Sequence, residues 1–114
     1  MDDTHSGTTL NIQHVRLEAT PVLIVAGEID LSTADQLRSS LEPLSGRVVV
    51  DLHGVTFLDS TGIAVLVSAR KRLVQDGGTL RLRAPQDHVR RVLEIVGLAD
   101  WVIDAGHDGT GLAG

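Results

Sequence analysis

Thr56-Phe57-Leu58-Asp59-Ser60-Thr61-Gly62-Ile63 is the stretch on which the reading of this chain turns. Apolar residues that end a strand run into an acid, two hydroxyl residues and a glycine, and an apolar helical pattern follows. Such a junction gathers backbone N–H groups and side-chain oxygens at the surface, where a helix N-terminus favours added negative charge. It is therefore a place for a phosphorylation switch. Read as architecture alone, the same residues are a plain cap: Asp59 or Ser60 is the N-cap, Thr61 lies in the first turn, and Gly62 lets the helix approach the sheet.

Outward from this junction the chain alternates strands with helices. Upstream, Leu10, Ile12, Val15 and Leu17 alternate imperfectly with polar residues and predict an edge strand. Their parity shifts between Ile12 and Val15, as a bulge or a change of environment would produce. Ala19-Thr20-Pro21 supplies a turn into Val22-Leu23-Ile24-Val25-Ala26, a run of the kind found in strands covered on both faces. After Gly27-Glu28-Ile29-Asp30, Ser32 with Asp35 three residues on reads as a capping box. Ala34, Leu37, Leu41 and Leu44 then mark the buried stripe of a helix, with Gln36, Arg38 and Ser39 towards water. Arg47 to Leu52 is a third strand, bent off by His53-Gly54.

Downstream, a helix is predicted from about Thr61 to Gln75, with Ile63, Leu66, Val67, Leu73 and Val74 inward and Gly77-Gly78 at its end. Thr79-Leu80-Arg81-Leu82-Arg83 alternates strictly, so it is a strand with one wet or ligand-facing side. Val89, Val92, Leu93 and Val96 give a third helix, closed by Gly97 with Leu98 placed for the contact of a Schellman cap. Trp101-Val102-Ile103 makes a short edge strand. The expected fold class is a small α/β domain over residues 8–103 in the order β-β-α-β-α-β-α with a possible last strand, on a mainly parallel sheet. Residues 1–7 and the glycine-rich 104–114 read as disordered tails.

Composition narrows the functions. There is no cysteine, and fifteen acids against ten bases give a net charge of −5, which disfavours a nonspecific grip on nucleic acid. Two aromatics, Phe57 and Trp101, leave little for base stacking. The polar start lacks a secretory signal, and no apolar run approaches the ~20 residues of a membrane span; the expected location is the cytoplasm. Ser60 meets half of a Gly-x-Ser-x-Gly elbow, and no histidine carries a local signature linking it to Ser60. His107-Asp108 lacks a second ligand set for a metal, and no phosphate-cradling glycine motif occurs. Neither catalysis, cofactor nor metal is expected.

Two motifs in order carry a family resemblance. Gly27-Glu28-Ile29-Asp30 with Thr33, Ala34 and Leu37, and Phe57-Leu58-Asp59-Ser60-Thr61-Gly62-Ile63-Ala64-Val65-Leu66, resemble the strand end and the phosphorylation loop of the STAS-domain anti-sigma factor antagonists. Ile63 and Ala64 stand where Leu and Gly are commoner, and nothing after Ile103 patterns as the family's last helix. The resemblance implies a mixed sheet with helices on one face. It also implies that Ser60 is the phosphoacceptor, with Thr61 as second choice. By the same resemblance the unmodified protein binds an anti-sigma factor that is a serine kinase of the histidine-kinase-like ATPase fold, and a serine phosphatase resets the switch. Asp30, Ser32, Thr33, Asp59, Ser60, Thr61, Gly62 and Ile63 are the candidate partner-binding residues. Two other readings keep the fold: a STAS subunit of a lipid or anion transport system, and a small-ligand or nucleotide sensor with Arg81 and Arg83 facing the ligand.

Overall fold

The computed structural model describes residues 10–103; the expected tails at 1–7 and 104–114 lie outside this range. Five strands form one sheet in the order β1-β2-β3-β4-β5: β1 Asn11–Leu17, β2 Thr20–Ile29, β3 Arg47–Leu58, β4 Thr79–Arg83 and β5 Val102–Ile103. β1 runs antiparallel to β2, and the remaining neighbours are parallel. Three helices make the crossovers: α1 Ala34–Leu41, α2 Ser60–Gln75 and α3 Asp87–Ile95. Each crossover steps one strand in the same direction, so the right-handed rule places all three on one face. Leu23, Val25, Val50, Leu80 and Leu82 on that face pack with Leu37, Leu41, Leu66, Leu73, Val89 and Leu93 in a single core cluster.

The imperfect alternation in β1 is a change of face. Its register with β2 runs unbroken from Asn11 opposite Ala26 to Leu17 opposite Thr20. Leu10 and Ile12 therefore look towards the helices, while Val15 and Leu17 sit exposed on the other side of the sheet. Glu18 and Ala19, both at positive φ (50° and 73°), form the two-residue hairpin loop, one residue earlier than the turn expected at Ala19-Thr20-Pro21. The β2 run is covered by helices on one face only. Gln36, expected in water, holds the chain ahead of β1: Leu10 N–H donates to its Oε1 (3.0 Å) and its Nε2 donates to Leu10 O (2.8 Å).

β3 departs most from its expected form. It does not end at Leu52 but continues to Leu58, because two bulges absorb the break in period. Opposite β2, Ile24 pairs with Asp51 and Ala26 with Gly54, then Gly27 pairs with Val55 and Glu28 with Phe57. Each shift inserts one β3 residue, which keeps Val50, Leu52, Val55 and Leu58 on the core face although their spacing is two, three and three. Gly54 fits this irregular ladder because a Cβ there would lie 2.7 Å from Ala26 Cβ.

α2 is rotated from its expected phase. Gly62, Val65, Leu66 and Leu73 are its buried residues, whereas Val67 and Val74 are exposed. Arg72 is turned back towards α1, donating to Leu41 O (3.0 Å) and Leu44 O (3.1 Å) and so satisfying carbonyls at that helix's C-terminal end. Both glycine stops are as expected: Gly78 N–H donates to Leu73 O and Leu98 N–H to Leu93 O, each 2.8 Å, beside Gly77 and Gly97 at positive φ.

Candidate functional site

The carboxyl ends of β2 and β3 lie side by side, with Ile29 opposite Leu58. The segments that leave them, Asp30–Thr33 and Asp59–Gly62, therefore share one end of the sheet, the crevice region where parallel α/β folds place their sites. Asp59 N–H donates to Ile29 O at 3.1 Å and ties the second loop to the first strand.

Both loops are organised by an aspartate. Asp59 has extended φ/ψ (−109°, −174°), and its Oδ1 accepts from Thr61 N–H (2.9 Å) and Gly62 N–H (3.1 Å). Asp59 is thus the N-cap, and Ser60 is the first helical residue. Ile63 N–H returns to Asp59 O (3.0 Å), so Ser60's own N–H is the first-turn donor left over among the described residues. Ser60 is exposed, Asp59, Thr61 and Ile63 are half-buried, and Gly62 is buried. A Cβ on Gly62 would lie 2.4 Å from Ile29 Cγ2 and 2.8 Å from Leu58 Cδ1, so only glycine permits this approach of α2 to the sheet.

At the first loop, Asp30 Oδ1 accepts from Ser32 Oγ (2.8 Å), Ser32 N–H (3.0 Å) and Thr33 N–H (3.2 Å). These bonds, the Ser32 hydroxyl first, hold the Asp30 carboxyl below its ordinary pKa against a smaller opposing effect of desolvation. The capping box expected at Ser32 is not formed: the residue before α1 is Thr33, and the carboxylate that closes the turn is Asp30's. Thr33 Oγ1 accepts from Asp30 N–H (3.0 Å) and donates to Glu28 O (2.7 Å).

Asp30, Ser32, Asp59, Ser60, Thr61 and Ile63 are therefore brought together with surface to offer. Thr33, 2% exposed, and Gly62 are buried and hold the loops in place without presenting area to a partner. Sequence reasoning missed Leu31, which is 80% exposed between Asp30 and Ser32, and did not assign Phe57, 47% exposed near the end of β3. An isolated leucine inside a tight polar turn was the available signal, since a capped Asx turn leaves its central side chain no core to enter.

The arginines proposed to face a ligand are engaged elsewhere. Arg83 Nε donates to Asp51 Oδ2 at 2.8 Å across β3 and β4, and Arg81 reaches Asp100 O at 3.4 Å. Among the described residues, no three His, Asp or Glu side chains gather as a metal site requires, and no helix is long and apolar enough to cross a membrane.

A capped strand–turn–helix junction carrying an exposed hydroxyl, beside a second capped loop on a one-sided mixed sheet, defines a small α/β recognition domain. The chain belongs to the STAS family: the family profile described as "Mlab, STAS domain" matches residues 12–104. It is 36% identical over 81 residues to the anti-sigma-B factor antagonist of Bacillus subtilis (strain 168), covering 68% of this chain and 74% of that protein. It is 42% identical over 84 residues to the anti-sigma-B factor antagonist of Listeria monocytogenes (strain EGD-e), covering 70% and 74%. The crystal structure of an anti-sigma factor antagonist from Mycobacterium paratuberculosis superposes with a TM-score of 0.75 at 25% identity, over 85% of this chain and 86% of that one.

Proposed function

We propose that this protein is an anti-sigma factor antagonist, a binding regulator and not an enzyme. Its unphosphorylated form binds an anti-sigma factor and frees a sigma factor, and phosphorylation of Ser60 ends the binding. The observation that carries the reading is the placement of Ser60: exposed on the first turn of α2, directly after its capping aspartate and beside the Asp30 loop. Family membership and the names of the relatives support it.

The partner in this scheme is an anti-sigma factor that is also a serine kinase of the histidine-kinase-like ATPase fold, acting in the cytoplasm. Ser60 Oγ attacks the γ-phosphorus of ATP, the bond to the ADP oxygen breaks, and the hydroxyl proton passes to a base of the kinase. A serine phosphatase restores the hydroxyl with water, releasing inorganic phosphate. Thr61, half-buried in the same turn, is the second acceptor in order.

A phosphate brings about −1.5 to −2 charges. At a helix N-terminus an anion stabilises by about 0.3–1 kcal/mol, but Asp59 already occupies the Thr61 and Gly62 donors, and its charge opposes a second anion. These effects offset, so the fold survives and the charge acts on the interface. A hundredfold loss of affinity needs only ~2.8 kcal/mol, within reach of one charge that a partner must desolvate or oppose.

Incubation with an anti-sigma factor kinase and ATP, followed by mass spectrometry of the peptide spanning Ser60, tests the acceptor. In titrations against that kinase, Ser60→Asp loses about a hundredfold in affinity, while Ser60→Ala binds and cannot be switched off. Equal affinities for wild type and Ser60→Asp refute the mechanism. Phosphate on neither Ser60 nor Thr61 moves the assignment to a STAS subunit of a transport system.

A further inference from the structure

β4 pairs with β3 only as far as Arg83 opposite Asp51. Beyond that point the second half of β3, the half that delivers Ser60, has no strand on its β4 side among the described residues. The two bulges lie in this half, one between Asp51 and Gly54 and the other between Val55 and Phe57. Each is met by a side chain at the start of α3. Gln86 Nε2 donates to His53 O at 2.8 Å, and His88 Nε2 lies 2.6 Å from Thr56 O. A carbonyl only accepts, so His88 carries its proton on Nε2. The first bulge is closed on its other side by Asp51, whose Oδ1 accepts from His53 N–H at 2.9 Å while its Oδ2 holds Arg83.

We propose that Gln86 and His88 are positioning residues for Ser60: two side chains at the start of α3 replace the missing strand, peg both β3 bulges, and so fix the direction in which Asp59 and Ser60 leave the sheet. Without the pegs, only the Asp51 bond to His53 N–H remains, among the described side-chain bonds on that side, to oppose slippage between the bulged and the regular register, and a one-residue slip would turn Leu58 out of the core and re-aim the residues after it. Gln86 shows the trade locally. It occupies the N-cap position of α3, yet its side chain caps no helical N–H and instead turns its amide to β3, where Nε2 donates to His53 O. Preorganisation of the acceptor turn is worth having because a kinase or a binding partner otherwise has to order it at the cost of affinity.

The inference rests on the proposed role of Ser60, and its test separates the two. Amide hydrogen exchange followed by NMR on the full chain reads the pegging without any partner. In the Gln86→Ala/His88→Ala variant, amides from Val55 to Gly62 exchange about tenfold faster, the scale of a lost hydrogen bond, while α1 and β4 keep wild-type rates. His88→Gln keeps an N–H donor of similar reach, so that single variant retains wild-type exchange at Thr56 to Ser60. With the kinase that modifies Ser60, kcat/KM for the double variant falls about tenfold, and His88→Gln alone keeps the wild-type value. Unchanged exchange from Val55 to Gly62 overturns the proposal, as does acceleration spread evenly over the domain. A wild-type chain that no such kinase phosphorylates overturns the switch, and the exchange result still decides the pegging.

Discussion

Replacing Gly62 by alanine sets two known magnitudes against each other at the centre of the site. The added Cβ would lie 2.4 Å from Ile29 Cγ2 and 2.8 Å from Leu58 Cδ1. Both contacts are side chains, but Ile29 is 0% and Leu58 4% exposed, so neither has free space to swing into. Overpacking of this kind costs about 1–3 kcal/mol. Alanine recovers up to ~1 kcal/mol over glycine as a helix former, and part of that gain is missing in a first turn whose N–H is held by a cap. The difference is a destabilisation of about 1–2 kcal/mol, read as a fall in Tm of roughly 4–8 °C per kcal/mol for a domain near this size. Urea unfolding followed by circular dichroism measures it, with an unchanged m-value showing that the folded state stays as compact. Shortening the opposing side chain supplies the control: Gly62→Ala combined with Ile29→Ala destabilises by less than the sum of the two single changes, since each relieves the other. A Gly62→Ala protein as stable as the wild type would refute the close approach of α2 to β2.

Other consequences are open to direct measurement. Asp59→Ala removes the cap of α2 and costs about 0.5–2 kcal/mol, with faster amide exchange at Thr61 and Gly62, its two bonded donors. Arg72→Met keeps the aliphatic stem and loses the bonds to Leu41 O and Leu44 O; thermal unfolding should show a loss of about 1.5 kcal/mol, the low end for a charged donor because the side chain is only half-buried. Asp30 has a folded pKa below its ordinary 3.8. Its contribution to stability is therefore fully present above pH 3.8 and disappears as the pH falls through the lower folded value. Ser32→Ala raises that pKa in a carbon-13 titration of the Asp30 carboxyl, and Asp30→Asn removes this group's part of the acid limb of the stability profile.

Much of the fold is legible in the chain because several signals are local. Strict alternation in Thr79 to Arg83 reads as a strand, and Leu80 and Leu82 are fully buried as that period requires. Gly97 followed by Leu98, and the pair Gly77-Gly78, act as helix stops because their positive φ and backwards hydrogen bonds need only neighbouring residues. What failed depended on distant contacts. Ile63 to Val67 is apolar at five successive positions, so it cannot fix which side of α2 turns inward. The phase is decided by Gly62 against Ile29, a residue thirty-three positions earlier. Likewise His53-Gly54 looks like the end of a strand, because the ladder that carries β3 through its bulges belongs to β2.

The candidate site divides in the same way. That Asp59 caps a helix whose first residue is Ser60, and that Asp30 closes a turn of its own, follows from short-range hydrogen bonding that the residues Asp-Ser-Thr-Gly and Asp-Leu-Ser-Thr carry wherever they fold. Sequence by itself determined the order of elements and a capped start of α2 at Asp59 or Ser60, but it read a Ser32–Asp35 box where Asp30 closes the first turn. Only tertiary structure decided that the turns adjoin, that Thr33 and Gly62 face inward, that Leu31 stands out beside them, and that Gln86 and His88 hold the strand between. Capping and periodicity are interactions over three or four residues, which a sequence displays. The parallel pairing of β2 with β3 and the docking of α3 join residues about thirty apart, and only the packed core sets their register.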